Sequence, residues 1–267
     1  MDPQLTAILA LTFVIHLIGT LAYAFRIAGV RTGHIALAFS LFNSLVLISR
    51  LSNAFQGSLL AKRVELAISE ATTQALRHDF TLILLSASAA TLLGGLLLPS
   101  FQRMATLAVA HFHRRRSMAR LMLRTLSPAG AAAVLRSAAL PGYATLRGAF
   151  RVADLPMIVI GLNFAASALW TVGVLSSIYA GILTPELRVT AASLSALVNG
   201  AATIVMFVMI DPYVAAVTDD AAAGRTSDGR LRRLIFWLVA GRLAGTLAAQ
   251  ALLVPGAMVI AWVAAAL

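Results

Sequence analysis

The stretch Ile35–Gln56 reads IALAFSLFNSLVLISRLSNAFQ and decides the fold class. At about 1.5 Å per residue it is long enough to cross a bilayer. Apart from serines, its only polar residues are Asn43, Arg50, Asn53 and Gln56. Offsets of seven and three residues put Asn43, Arg50 and Asn53 on one helical face. A charge in hydrocarbon costs from about 3 to more than 10 kcal/mol, depending on the reference, so Arg50 marks a functional site. Arg26 and Arg31 lie just upstream and gather further guanidinium groups beside it. Guanidinium grips phosphate through paired bonds, which points to a phosphorylated, lipid-soluble anion as substrate.

The rest of the chain agrees with a membrane setting. Of 267 residues, 60% are hydrophobic and 12% charged, and the mean hydropathy is +0.89. Soluble domains carry about 25% charged residues, so that class is excluded. Several continuous apolar runs, without the alternation of a β-barrel, give an all-α polytopic membrane protein. Cysteine is absent, which removes disulfides, thiolate nucleophiles and Cys-ligated metals. Ala22-Tyr23-Ala24 resembles a cleavage site, but no Lys or Arg precedes Arg26 and Asp2 is acidic, so residues 5–25 read as a retained first helix.

Six spans in one transmembrane domain are expected, at roughly 5–25, 34–56, 80–99, 156–183, 189–211 and 234–264. Residues 57–79 read as a short amphipathic helix. Residues 101–155 form a basic connection whose apolar positions Met118, Leu121, Met122 and Leu126 recur at helical spacing, with Pro128 and Pro141 as breaks. Its expected place is the membrane surface, held by anionic lipids at about 1 kcal/mol per basic residue. The cationic surplus is thus assigned to lipid and not to nucleic acid. Thr184-Pro185-Glu186 forms a tight turn, and Asp219–Gly229 a polar loop.

Charge sets the orientation. Loops one, three and five carry two, nine and four arginines, whereas loops two and four hold Lys62, Arg63, Arg77 and Arg188. The positive-inside rule therefore places both termini outside and the long connection in the cytoplasm. By this count Arg50 lies toward the outer interface.

Other polar residues have two readings each. Thr12, His16, Thr20 and Tyr23 share one face of the first helix, as a cavity wall or as inter-helix hydrogen-bonding groups. Asn163, Ser167 and Thr171 repeat the pattern on span four, beside Trp170, with Asn199 opposite on span five. Arg242, nine residues past Arg233, either snorkels or lines a cavity. Gly161 with Ala165, Gly173 with Ser177 and Gly241 with Gly245 invite close helix packing, and the last pair permits a homodimer. His111 and His113 read as surface residues.

What is missing narrows the chemistry. Asp211 stands at the end of span five, and no span interior holds a carboxylate for a proton relay. No GxxxxGK[ST] motif and no metal-ligand cluster occurs, so no cofactor is expected. A membrane enzyme of polyprenyl-phosphate metabolism would want the same arginines but also catalytic carboxylates or metal ligands. A scaffold acting through residues 101–155 is the third class.

Ile15–Gly33 (IHLIGTLAYAFRIAGVRTG), Ser40–Asn43 (SLFN), Ser49-Arg50, Ser52–Gln56 (SNAFQ) and Leu59–Glu65 (LLAKRVE) together resemble the Amj family, alternate lipid II flippases of bacteria. The resemblance is dense over residues 10–70 and continues as a shared layout of about six helices. It implies a bacterial plasma-membrane protein that carries undecaprenyl-pyrophosphate-linked peptidoglycan precursor from the inner to the outer leaflet. By the same resemblance, Arg26, Arg31, Asn43, Arg50, Asn53 and Gln56 become the substrate-site candidates. Secondary candidates are His16, Tyr23, Lys62, Arg63, Glu65, Asn163 and Arg242. Two positions depart from the family pattern: Gly19, where an acidic residue is common, and Gly57, where Ala-Pro is expected.

Overall fold

Helix starts and stops follow local chemistry. The computed structural model describes residues 2–125, 127–139, 141–142, 147 and 155–267. Helix α1 (Pro3–Leu21) begins where the Asp2 side chain accepts a bond from the Gln4 N–H, with Pro3 at the first position. A break at Ala22 separates it from α2 (Tyr23–Thr32), which ends at Gly33 with φ +70°. Helix α3 spans Ile35–Ser69 and α4 spans Leu76–Arg115. Two short helices follow, α5 (Met118–Thr125) and α6 (Pro128–Ser137). Helix α7 (Met157–Leu183) stops before Pro185. Helices α8 (Arg188–Ser193) and α9 (Ser195–Ile204) lead into a π-helical segment, Val205–Ile210, and then α10 (Asp211–Ala222). Helix α11 (Asp228–Ala266) is capped by Ser227, whose hydroxyl accepts from the Arg230 N–H.

Among the described residues, six helical stretches are long and apolar enough to cross a bilayer: Pro3–Thr32, Ile35–Ser69, Thr73–Arg115, Met157–Leu183, Pro185–Ala222 and Asp228–Ala266. The number matches the sequence expectation, but several bounds move. No separate amphipathic helix follows Gln56. Instead α3 continues, because Leu60, Val64 and Ala67 pack on Leu5, Ile8 and Phe80. Arg50 is therefore the sixteenth of 35 residues and sits at mid-helix rather than near a helix end. Likewise α4 runs through Pro99 to Arg115, since Ala105 and Val109 pack on Phe25, Ala38 and Leu41. The basic connection thus begins after Arg115. Ser100 ties its return: the hydroxyl donates to the Ala139 carbonyl and accepts from the Ala139 N–H, both at 2.8 Å. Positions 126, 140, 143–146 and 148–154 of that connection lie outside the described residues.

Helix association in lipid rests on close packing and buried polar bonds rather than on water exclusion. Helices α7 and α11 pack along their lengths, and α1 packs on α4. The approach of α7 to α11 depends on Gly245, where a Cβ would lie 2.6 Å from the Phe164 carbonyl oxygen. Gly241 faces the same helix, where a Cβ would lie 3.3 Å from the Asn163 amide nitrogen. This glycine pair is therefore used within one chain and is not open to a second copy. A Cβ on Gly161 would meet nothing within 4 Å, whereas one on Gly173 would run into the Asn199 side chain.

Two apolar clusters mark the ends of the bundle. One joins Leu5, Leu60, Phe80, Ile178 and Leu253 near the chain termini. The other joins Ile27, Ile160, Val214, Leu231 and Leu234. Beside the second cluster, Arg31 lies close enough to Arg103 and Arg232 to feel their charge, and the His34 ring stacks on His113 at 3.8 Å. Between the clusters lies a polar layer.

Candidate functional site

A cavity of about 540 Å³ opens in that layer. Helix α3 supplies one wall through Phe39, Phe42, Asn43, Val46, Ser49, Arg50 and Asn53, the stripe that helical spacing puts on one face. Opposite stand Met206, Phe207 and Ile210 of the π segment, then Asp211, Pro212 and Ala215. Ile15, Ile18 and Gly19 of α1, Tyr23, Phe25 and Arg26 of α2, Trp170 of α7 and Arg242 of α11 line it too, with Ala22 at the break between α1 and α2.

Three arginines and one carboxylate line this space, a formal surplus of two positive charges. The Arg26 Nη2 donates to Asp211 Oδ1 at 2.6 Å, and its guanidinium carbon lies 4.9 Å above the Phe39 ring. Its other terminal nitrogen, Nη1, is enclosed without a partner. Arg242 does not snorkel. Helix α11 starts at Asp228, so Arg242 lies fourteen residues, about 21 Å, along it. Its guanidinium turns against Gly19, where a Cβ would fall on Nη2 and come within 3.0 Å of Cζ. Its Nε has no partner. Among the described residues neither Arg242 nor Arg50 has a carboxylate within ion-pair distance.

A smaller pocket adjoins the cavity, shares Asn53 and Trp170 with it, and is lined by His16, Gln56 and Thr12. Gln56 is buried and donates to the Thr12 hydroxyl at 2.6 Å, which in turn donates to the Ile8 carbonyl at 2.7 Å. Gln56 therefore pins α3 to α1 instead of facing the cavity. His16 is buried with Nδ1 unpartnered. Asn163 bridges three helices: its oxygen accepts from the Tyr23 hydroxyl at 3.1 Å and its amide donates to the Leu238 carbonyl at 2.7 Å.

The structure thus brings Tyr23, Arg26, Asn43, Arg50, Asn53 and Arg242 together. Arg31 stands apart. With the Gln102 amide oxygen turned toward it, Gln102 accepts from both Arg31 terminal nitrogens at 2.9 and 3.1 Å. Lys62 and Glu65 are exposed toward the other end of α3. Arg63 donates to Asp79 at 2.7 Å and also pairs with Asp2. These two contacts clamp the chain start to α3 and α4. Arg63 pulls the Asp2 carboxyl below its usual range, helped by the Gln4 N–H.

Sequence reasoning missed Asp211, Gly19 and the π segment as parts of the site. The legible signal was Asp211-Pro212 within the apolar run VMFVMIDPYVAAV (Val205–Val217), which makes the carboxylate interior to the fifth stretch.

Residues 11–264 match the family model described as "Alternate to MurJ". The chain belongs to the Amj family. The "Lipid II flippase Amj" of Bacillus subtilis (strain 168) is 35% identical over 260 residues, covering 97% of this chain and 96% of that one. No solved structure matches. Within this Amj chain, the stretch of dense resemblance, residues 10–70, contributes α1, α2 and α3 to the cavity.

Proposed function

We propose that the chain is a lipid II flippase, and that the α1–α3, α7, α10 and α11 cavity receives the diphosphate of its substrate. The observation that carries this reading is the surplus of two cationic charges, Arg50 and Arg242, left without carboxylate partners in a cavity at mid-bundle. An isolated charge in lipid is costly, and an anionic headgroup supplies the missing partner. A volume of about 540 Å³ falls within the roughly 300–1,000 Å³ of ordinary ligand pockets. It seats the diphosphate and the adjoining sugar, with Asn43 and Asn53 offering amides to hydroxyls. The peptide extends beyond the cavity. The isoprenoid tail stays in lipid along the apolar lip formed by Phe207 on one side and Leu47 and Leu51 on the other, all three exposed.

The proposed orientation puts the arginine-rich end in the cytoplasm of a bacterial plasma membrane and both termini outside. Arg31 lies within electrostatic reach of Arg103, Arg232 and Asp228 at that end, where the odd-numbered loops of a six-span bundle gather. Transport runs from the inner to the outer leaflet. Its drive is consumption of the product outside, the membrane potential acting on the anionic head at about 2.3 kcal/mol per charge per 100 mV, or both.

The test is transport in bacteria depleted of their resident lipid II flippase and supplied with this chain. Lipid II on the outer leaflet is read with an externally added enzyme that cleaves it. Restored cleavage that disappears with Arg50→Ala, at equal protein level, supports the reading. No restored cleavage from correctly inserted protein rejects it.

A further inference from the structure

Among the described residues, Arg26 is the one cavity arginine held by a carboxylate, and it is held incompletely. A single bond joins Nη2 to Asp211 Oδ1, while Nη1 is enclosed and unpartnered. Asp211 is the less buried of the two, its side chain 34% exposed against 9% for Arg26. Backbone geometry aims the carboxylate inward. Pro212 lacks an N–H, so the α-helical ladder is interrupted just after Asp211. The π segment Val205–Ile210 immediately before it widens the turn and resets the face on which Asp211 emerges.

We infer that Asp211 is a built-in competitor of the substrate diphosphate for Arg26, a positioning residue that limits grip and returns to Arg26 as the headgroup leaves. The inference rests on the flippase reading of the same cavity. A diphosphate drawn in by Arg50 and Arg242 reaches Arg26 from the cavity side, where the shift of the partly exposed Asp211 uncovers the unpartnered Nη1. Two anions then share one guanidinium. The diphosphate carries more charge and offers several oxygens to the planar fork, so it displaces the monodentate carboxylate. Freed Asp211 faces the bound anion and is repelled by it. On release, the Arg26–Asp211 pair re-forms and the site is emptied of charge imbalance at Arg26. A transporter needs such a term, because a site of three free arginines would hold a diphosphate too tightly to let it go.

The experiment measures binding of undecaprenyl diphosphate to the full chain in lipid nanodiscs, together with lipid II exposure in cells. For Asp211→Asn the expected result is binding at least tenfold tighter than wild type with slower exposure. In an Arg26→Gln background the same substitution changes affinity less than threefold. Tighter binding with slower transport is not what a merely structural carboxylate would give, since its loss weakens both. Equal or weaker binding by Asp211→Asn overturns the inference, as does a tenfold gain that persists without Arg26. Asp211→Ser serves as the neutral variant if the Asn form does not fold. Absence of undecaprenyl diphosphate binding by wild type rejects the site itself, and the competition with it, whereas normal wild-type binding with an unchanged variant rejects only the competition.

Discussion

The Arg242 guanidinium occupies the space that a side chain at Gly19 would fill: a Cβ built on Gly19 would fall on its Nη2. The two residues come from opposite ends of the sequence, and one lacks a side chain so that the other can point into the cavity. Gly19→Ala is therefore expected to displace the guanidinium tip while leaving the helices in place, because the end of a long side chain yields more cheaply than backbone. A misplaced charge-assisted contact is worth about 1.5–3 kcal/mol, so lipid II exposure should fall by roughly tenfold or more. The melting temperature should stay within about 2 °C of wild type. A variant with unchanged exposure would show that the position of Arg242 does not matter for transport.

Arg242 itself stores instability. Its Nε is enclosed and unpartnered, and no carboxylate lies within ion-pair distance among the described residues. Replacing an uncompensated charge in the bundle interior with a neutral group removes a desolvation cost. Arg242→Gln is expected to raise the melting temperature of the purified protein by a few degrees, at about 2–4 °C per kcal/mol for a chain of this size. Lipid II exposure should drop at least tenfold in the same variant. Gain of stability with loss of function is the pattern of a residue kept for its ligand. A fall in both quantities would make Arg242 a structural residue.

The α3 wall of this site was legible because helical geometry is local. Asn43, Arg50 and Asn53 share a face whatever else the chain does, and the cavity is where that face points. Helix ends were less legible. Pro99 and the polar residues after Gln56 looked like stops, yet both helices continue because distant partners, Phe25 for α4 and Leu5 for α3, receive their next turns. In the sequence alone Asp211 reads as a helix end, because it is the first carboxylate to follow the apolar run. Its pairing with Arg26, 185 residues away, is a long-range fact that no spacing rule contains. Gln56 carried the polar signature of a site residue but spends its amide on Thr12. Composition alone does not separate a substrate contact from a bond between helices.

Asn163 illustrates the second kind. It joins α2, α7 and α11 through the Tyr23 hydroxyl and the Leu238 carbonyl, and it is fully buried. Asn163→Ala leaves the buried Tyr23 hydroxyl without its acceptor, at about 1–3 kcal/mol, and removes the second bond to the Leu238 carbonyl, which keeps its bond within α11. The expected outcome is a melting temperature lower by several degrees and reduced protein in the membrane, with exposure of lipid II per molecule of inserted protein close to wild type. Loss of exposure at normal stability would instead move Asn163 into the substrate site.

At the other end of α3, Arg63 binds Asp2 and Asp79 and so ties the first residues of the chain to α3 and α4. Asp2 has a carboxyl pKa below its ordinary 3.8 in the folded protein, chiefly through Arg63 and then the Gln4 N–H. A carboxylate whose folded pKa is depressed contributes stability above its unfolded value and loses it as pH falls through the folded one. The difference in melting temperature between wild type and Asp2→Asn should therefore be constant from neutral pH down to about 5 and shrink steadily below about 4. Part of that difference survives at low pH, since the asparagine also changes the N-terminal cap. Transport should be unaffected, because the clamp lies outside the cavity lining. A difference that does not narrow in acid would mean that the cap alone, and not the Arg63 pair, holds the chain start in place.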